Sequence, residues 1–345
     1  MSKRRNFSTT EYWKRLAENH VPQLAFNGST RSDYEKWEAA ARPKFAGLLG
    51  RFPEKVPLDA EIMSSVNDCG IIRERVVMDV DPYMSMPCQV LYPEKMKKDK
   101  SNAAIVCCHG HGPAGKDAVA GIRSNRETIE SIKNCNYDYG LQMAKAGFLT
   151  ICPDLRGFGE RLDKPPLYPN RDPCNIEYLK GTLMGHYPLT LNISDIMRCI
   201  DYLETRPEVD KNRIGMMGLS LGGTMTTFTS AYEQRIKAAD IMGYVNPFRE
   251  FCYKHSKVCG IQIAPEVFRW FDTDEIAGLI APRPLLVEMG IYDDCFYIHD
   301  MLKGYEGIKE IYKAAGAADL IDCDVFPGPH AFGGNKAAEF FRKYL

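Results

Sequence analysis

The sequence lacks several features that would have set its class at once. Neither sign of charge is in surplus: 44 Lys and Arg stand against 45 Asp and Glu in 345 residues, for a net charge of -1. A chain so balanced offers no broad basic surface to nucleic acid or anionic membrane, so neither is expected as a partner. No stretch approaches the roughly 20 apolar residues that a membrane span requires. The 12 cysteines contain no C-x-x-C, and Cys107, Cys108 and Cys152 sit inside apolar runs. They read as reduced, buried, small hydrophobes and not as the framework of a small secreted domain. The basic start, Met1 to Thr10, leads into Glu11-Tyr12-Trp13-Lys14 and not into an apolar segment. No secretory signal is therefore read there, and a cytoplasmic location is expected. There is no internal repeat and no low-complexity tract, and the length is ample for one large core.

The sequence is organised around Gly218-Leu219-Ser220-Leu221-Gly222, with Gly223 following. Before it, Arg213 to Met217 reads as a buried strand, and after it Thr224 to Phe228 can start a helix. A strand, Gly-x-Ser-x-Gly and a helix in that order define a nucleophile elbow. The sharp turn strains the serine, and the small flanking residues let the backbone bend without collision.

Residues 1–60 read as a helical N-terminal extension, with Trp37, Ala41 and Phe45 at helical spacing. From 61 to 345 a single catalytic domain is expected. It opens with two antiparallel strands, Ile71 to Val80 and Pro87 to Pro93. Apolar strands follow at Ala103 to Cys108, Phe148 to Asp154, Arg213 to Leu219, Ala238 to Tyr244, Pro284 to Gly290 and Ile321 to Phe326. Helices are read between them, at Tyr139 to Lys145 and Leu189 to Glu204, and Ala331 to Leu345 is read as the closing helix. This alternation predicts an α/β fold with a mainly parallel central sheet and helices on both faces. Ligands on such sheets lie at the carboxyl ends of the strands. Residues 155–187, rich in Pro, Gly, Asp and Arg, are expected to be an irregular loop over the active site, leaving the strand beside the elbow strand. Pro165, Pro166, Pro169 and Pro173 would stiffen it.

A serine nucleophile needs a base to take its proton and a carboxylate to orient that base, here in the chain order Ser, acid, His. The elbow supplies Ser220. The strand ending at Gly290 is followed by Asp293 and Asp294, and the last strand by Pro327-Gly328-Pro329-His330. The base is therefore His330. The acid is Asp293 or Asp294, with Asp293 preferred for its place three residues after the glycine. The oxyanion hole is assigned to the N–H groups of Leu221 and of His111, in His109-Gly110-His111-Gly112. His109 and His111 also raise a metal pair, but two histidines without a third ligand nearby are weak evidence, and no metal or other cofactor is expected. Glu160 and Arg161, at another carboxyl end, and His186 are candidates for binding substrate; the other reading of the charged cluster Arg156, Glu160 and Arg161 is an internal ion-pair network that shapes its loop. His20, His255 and His299 read as ordinary polar residues, with His255, like His186, also able to face the cleft.

These motifs resemble the α/β-hydrolase superfamily, and within it the dienelactone hydrolase and acetyl xylan esterase-like branch of bacterial hydrolases. The resemblance rests on His109-Gly110-His111-Gly112, Asp154-Leu155-Arg156-Gly157-Phe158-Gly159-Glu160, Arg206-Pro207-Glu208-Val209-Asp210, the elbow, Ala281-Pro282-Arg283-Pro284-Leu285-Leu286, Phe296 after the acid and Gly328-Pro329-His330. It covers about residues 70–345. Dienelactone hydrolases proper use a cysteine nucleophile, where this chain has Ser220. The resemblance implies a serine ester hydrolase acting through an acyl-enzyme on small or short-acyl esters, acetylated sugars among them, and it leaves room for a homo-oligomer. A prolyl oligopeptidase-like serine peptidase and a non-catalytic binding module are the rival readings.

Overall fold

The computed structural model describes residues 5–112, 114–164 and 171–345. The basic start (residues 1–4), Pro113, Pro165, Pro166 and Pro169 lie outside the described residues. Among the described residues, nine strands form one sheet: β1 (Glu61–Asp68), β2 (Ile71–Asp81), β3 (Met84–Pro93), β4 (Asn102–Cys108), β5 (Leu149–Pro153), β6 (Val209–Leu219), β7 (Ile236–Met242), β8 (Leu285–Gly290) and β9 (Ile321–Phe326). Their order is β1-β2-β3-β5-β4-β6-β7-β8-β9. The pairs β1–β2, β2–β3 and β3–β5 are antiparallel. Every pairing from β5 through β4 to β9 is parallel.

Among the described residues the α-helices are α1 (Thr9–Glu18), α2 (Arg31–Leu48), α3 (Lys116–Val119), α4 (Arg126–Cys135), α5 (Tyr139–Lys145), α6 (Pro173–Met184), α7 (Pro188–Thr205), α8 (Leu221–Tyr232), α9 (Val267–Trp270), α10 (Thr273–Gly278), α11 (Ile298–Ala314) and α12 (Ala337–Tyr344). None is long and apolar enough to cross a membrane.

The continuous apolar runs are explained by the two faces of the sheet. In β4, Ala104, Val106 and Cys108 join one core, with residues of α2, α7, α8 and α11. Ala103, Ile105 and Cys107 join a second core, with residues of α5 and α12. A strand covered on both sides needs apolar residues at every position, which removes the alternation seen in half-exposed strands. Trp37, Ala41 and Phe45 of α2 lie in the first of these cores. The Tyr34 hydroxyl donates to the Ala281 carbonyl at 2.8 Å, tying α2 to the segment that leads into β8.

Four expectations need correction. Residues 155–187 are not irregular throughout, because α6 runs through them. Its signals are local: Asp172 accepts from the Cys174 N–H, Pro173 occupies the first turn, and Gly185 ends the helix in the left-handed conformation. The strand from which this segment departs, β5, is not beside the elbow strand, since β4 lies between β5 and β6. The closing helix begins at Ala337, not at Ala331, because Gly333 and Gly334 turn their N–H groups onto one oxygen of the buried Glu288 carboxyl group, at 2.7 and 3.2 Å. Finally, β1, α3 and α4 were not foreseen. All eight residues of β1 are exposed, so it carries no burial pattern to read.

Candidate active site

The turn between β6 and α8 places Ser220 at φ 63°, ψ -117°. This is costly backbone for a residue with a Cβ, of order 1–3 kcal/mol, and it is held by its surroundings. The Ser220 N–H donates to the Met242 carbonyl at the end of β7, at 3.0 Å. On either side the backbone passes too close for a side chain. A Cβ at Gly218 would lie 2.5 Å from the Gly222 carbonyl, and one at Gly222 would strike the Cys108 carbonyl oxygen at the end of β4. The two glycines thus let α8 leave directly over the sheet, with Ser220 at the tip.

His330 lies beyond β9 and Asp293 beyond β8. His330 Nδ1 meets Asp293 Oδ2 at 2.7 Å. The other oxygen, Oδ1, accepts the N–H groups of Cys295 and Phe296, at 2.8 and 2.7 Å. Phe296 stacks on the imidazole, with centroids 5.5 Å apart and planes at 22°. The ring is therefore held by a hydrogen bond at one nitrogen and packing on one face. Its other nitrogen, Nε2, has no hydrogen-bond partner among the described residues. Both His330 and Ser220 line a cavity of about 510 Å³. Asp293 is buried, while Asp294 is exposed.

Leu221 is the first residue of α8, and the N–H groups of a helix's first turn have no intrahelical acceptor. His111, in the loop after β4, lines the same cavity. That loop is held from behind. The Tyr137 hydroxyl accepts the Gly110 N–H at 2.6 Å, and burial pushes the phenol's pKa up, so it stays protonated. His109 is engaged at both ring nitrogens. Its Nε2 accepts the Leu155 N–H at 3.0 Å, which leaves the proton on Nδ1, 2.7 Å from the Gly110 carbonyl. Burial lowers the pKa of His109 and keeps it neutral. The pair does not converge on a metal.

Glu160, Arg161 and His186 do not line the cavity. Glu160 is paired with Arg75 (2.5 Å) and with Lys116 (2.7 Å), and the Arg75 guanidinium above all holds its carboxyl down to about 2. Lys116 is buried and also meets Asp154 at 2.9 Å. Arg161 is spent on Asp195 (2.8 Å) and on the Asp154 carbonyl (2.9 Å). These charges shape the loop after β5 from within. His186 is tied through its N–H to the Gly181 carbonyl at the end of α6. Beside Ser220, His111 and His330, the cavity wall is made by residues that include Asp172, Tyr137, Lys257, Cys259, Gln262 and Phe296. Of these six, only Phe296 belongs to the motifs that carry the resemblance; Asp172 and Tyr137 flank helices, and no motif marks the rest.

A mainly parallel sheet with a Gly-x-Ser-x-Gly turn after β6, Asp293 in the loop after β8 and His330 in the loop after β9 has the α/β-hydrolase fold. Within that fold, residues 127–253 match the family model of the dienelactone hydrolase family. The match includes the elbow serine and stops before Asp293 and His330. A proposed hydrolase of Bacillus subtilis, YtaP, is 26% identical over 288 residues, which is 81% of this chain and 90% of that protein. The fold is similar to that of a proposed acetyl xylan esterase from Bacteroides fragilis, with a TM-score of 0.76 at 18% identity, over 94% of this chain and 84% of the other. A glucuronoyl esterase from Solibacter usitatus superposes with a TM-score of 0.65 at 15% identity, over 89% and 93% of the two chains.

Proposed function

We propose that the protein is a serine ester hydrolase acting on small or short-acyl esters, with acetylated sugars as the leading class. The observation that carries this reading is the Asp293–His330 hydrogen bond at 2.7 Å, with His330 Nε2 unpartnered in the cavity that Ser220 lines. Ser220 Oγ attacks the ester carbonyl as His330 Nε2 takes its proton. Asp293 holds the Nδ1–H tautomer and stabilises the imidazolium. The Leu221 and His111 N–H groups receive the charge on the tetrahedral oxygen. His330 then protonates the leaving alcohol, and a water, activated by the same imidazole, releases the acid from Ser220. The acetyl xylan and glucuronoyl esterases of similar fold support an ester of a sugar as the substrate class. A reactive fluorophosphonate should label wild type once, at Ser220. Ser220→Ala should lose labelling and lower turnover of nitrophenyl acetate by about 10⁴ or more, with the melting curve little changed. Turnover within tenfold of wild type in the purified variant would remove Ser220 from this role.

A further inference from the structure

Beside the cavity, which His111 and Cys259 line, three metal-ligating side chains meet from distant parts of the sequence. They are His111 in the loop after β4, Cys174 in the first turn of α6, and Cys259 in the segment before α9. One ligand atom from each lies within 4.8 Å of the other two. His111 Nε2 stands 3.1 Å from Cys259 Sγ. In a tetrahedral zinc site, with Zn–N near 2.0 Å and Zn–S near 2.3 Å, ligand atoms are roughly 3.5–3.8 Å apart. The cluster is therefore close to ligating geometry without rearrangement of the backbone.

Each donor is also held from behind, as metal ligands usually are. The His111 ring packs edge-on to Phe158, with centroids 5.7 Å apart. Asp172 caps the Cys174 N–H at 2.9 Å, and the next residue of α6, Asn175, accepts the Gly260 N–H at 2.8 Å, which sets Cys174 and Cys259 side by side. The Cys259 N–H donates to Gln262 Oε1 at 3.2 Å, and Gln262 Nε2 donates to Thr224 Oγ1 of α8 at 3.1 Å. None of the three side chains has a part in the proposed ester chemistry, which uses only the backbone N–H of His111.

We infer that His111, Cys174 and Cys259 form a binding site for a thiophilic divalent cation of the zinc class, at the rim of the cavity. Binding displaces the protons of the two thiols and leaves the cation three protein ligands. The fourth position falls to water or to an oxygen of a molecule in the cavity, since His111 and Cys259 both line it. The ion would join α6, the segment before α9 and the loop after β4 at one point. This goes beyond the esterase reading, and its readout does not depend on turnover.

The test is titration of the reduced, full-length protein with Co²⁺, followed by its thiolate-to-cobalt charge-transfer absorption and by displacement with Zn²⁺. One equivalent should saturate the band. Cys174→Ala and His111→Gln should each weaken Co²⁺ binding by more than the roughly 10–100-fold that loss of an outer partner costs, and Asn175→Ala should fall within that range. Cys69→Ala, at the exposed turn between β1 and β2, should leave the titration unchanged. Circular dichroism checks that each variant is folded, and Cys259→Ser stands in if Cys174→Ala is not. Absence of the band in the folded, reduced protein would overturn the inference. So would a band in Cys174→Ala that titrates as tightly as in wild type, or a disulfide between Cys174 and Cys259 that the reductant does not open.

Discussion

Asp293 and His330 meet through one oxygen and one nitrogen, while the second oxygen of Asp293 is claimed by two backbone N–H groups of its own turn. The carboxylate therefore cannot rotate away from the imidazole without giving up three hydrogen bonds. Asp293→Asn should lower kcat for nitrophenyl acetate by roughly 10³–10⁴, because the amide favours the wrong tautomer of His330. Asp294→Asn, in an exposed side chain, should stay within a few-fold of wild type. The reverse pattern in steady-state kinetics would transfer the orienting role to Asp294.

The cavity of about 510 Å³ is walled by Asp172, Lys257 and Gln262 as well as by Val258 and Phe296. A site of this size and mixed polarity should favour short acyl groups and water-soluble alcohols. Across nitrophenyl acetate, butyrate, octanoate and palmitate, kcat/KM should peak at the short end. An apolar acyl channel would instead add about 0.8 kcal/mol per methylene. A steady rise through octanoate would exclude the short-acyl reading.

Lys116 is buried between Asp154, at 2.9 Å, and Glu160, at 2.7 Å. Burial by itself would lower the Lys116 pKa, but the carboxylates of Asp154, Asp117 and Glu160 outweigh it and raise the value. Lys116→Ala would leave the fully buried Asp154 carboxylate without its counter-charge. Loss of one partner of a buried pair costs about 3–5 kcal/mol, which urea denaturation would register as a lower midpoint at unchanged slope. Replacing both groups, as Lys116→Met with Asp154→Asn, should recover much of that loss. A single variant as stable as wild type would show that water reaches Asp154.

Glu288, at the end of β8, is pushed by burial from its usual 4.5 to about 8. The folded chain thus keeps a proton that the unfolded chain releases. Its contribution to stability is complete below about pH 4.5 and falls as the pH rises through about 8. Glu288→Gln keeps an acceptor for Gly333 and Gly334 and has no proton to lose. Between about pH 5 and about pH 9 the melting temperature of the variant should fall less than that of wild type. Buried Glu275 carries a shift of the same direction, so some alkaline loss should remain. Equal slopes in the two proteins would mean that Glu288 is already ionised in the fold.

The elbow and the strands around it were legible because their signals are local. Glycines at 218 and 222 mark a backbone crowded against β4, and apolar runs mark strands covered on both faces. α6 was just as local, with Asp172, Pro173 and Gly185 at its ends, but the prolines and charges around it masked the pattern. For Glu160 and Arg161 the sequence left two readings, substrate contact or an internal ion-pair network, and the structure shows the second. Their partners, Arg75, Lys116 and Asp195, come from other strands and helices, and only the folded chain pairs them. The cavity wall was hidden for the same reason, since Asp172, Cys259 and Phe296 are neighbours only across loops.

The elbow also distributes tolerance to substitution unevenly along five residues. At Ser220 the strained angles are already present, and the side chain stands in a cavity, so another small side chain inherits the geometry at little further expense. At Gly218 and Gly222 even a methyl group would press on backbone atoms that cannot rotate aside. In a library covering all five positions, the two glycines should select for folding and the serine for chemistry alone. Folded, inactive clones should accordingly accumulate changes at 220 and almost none at its neighbours two places away.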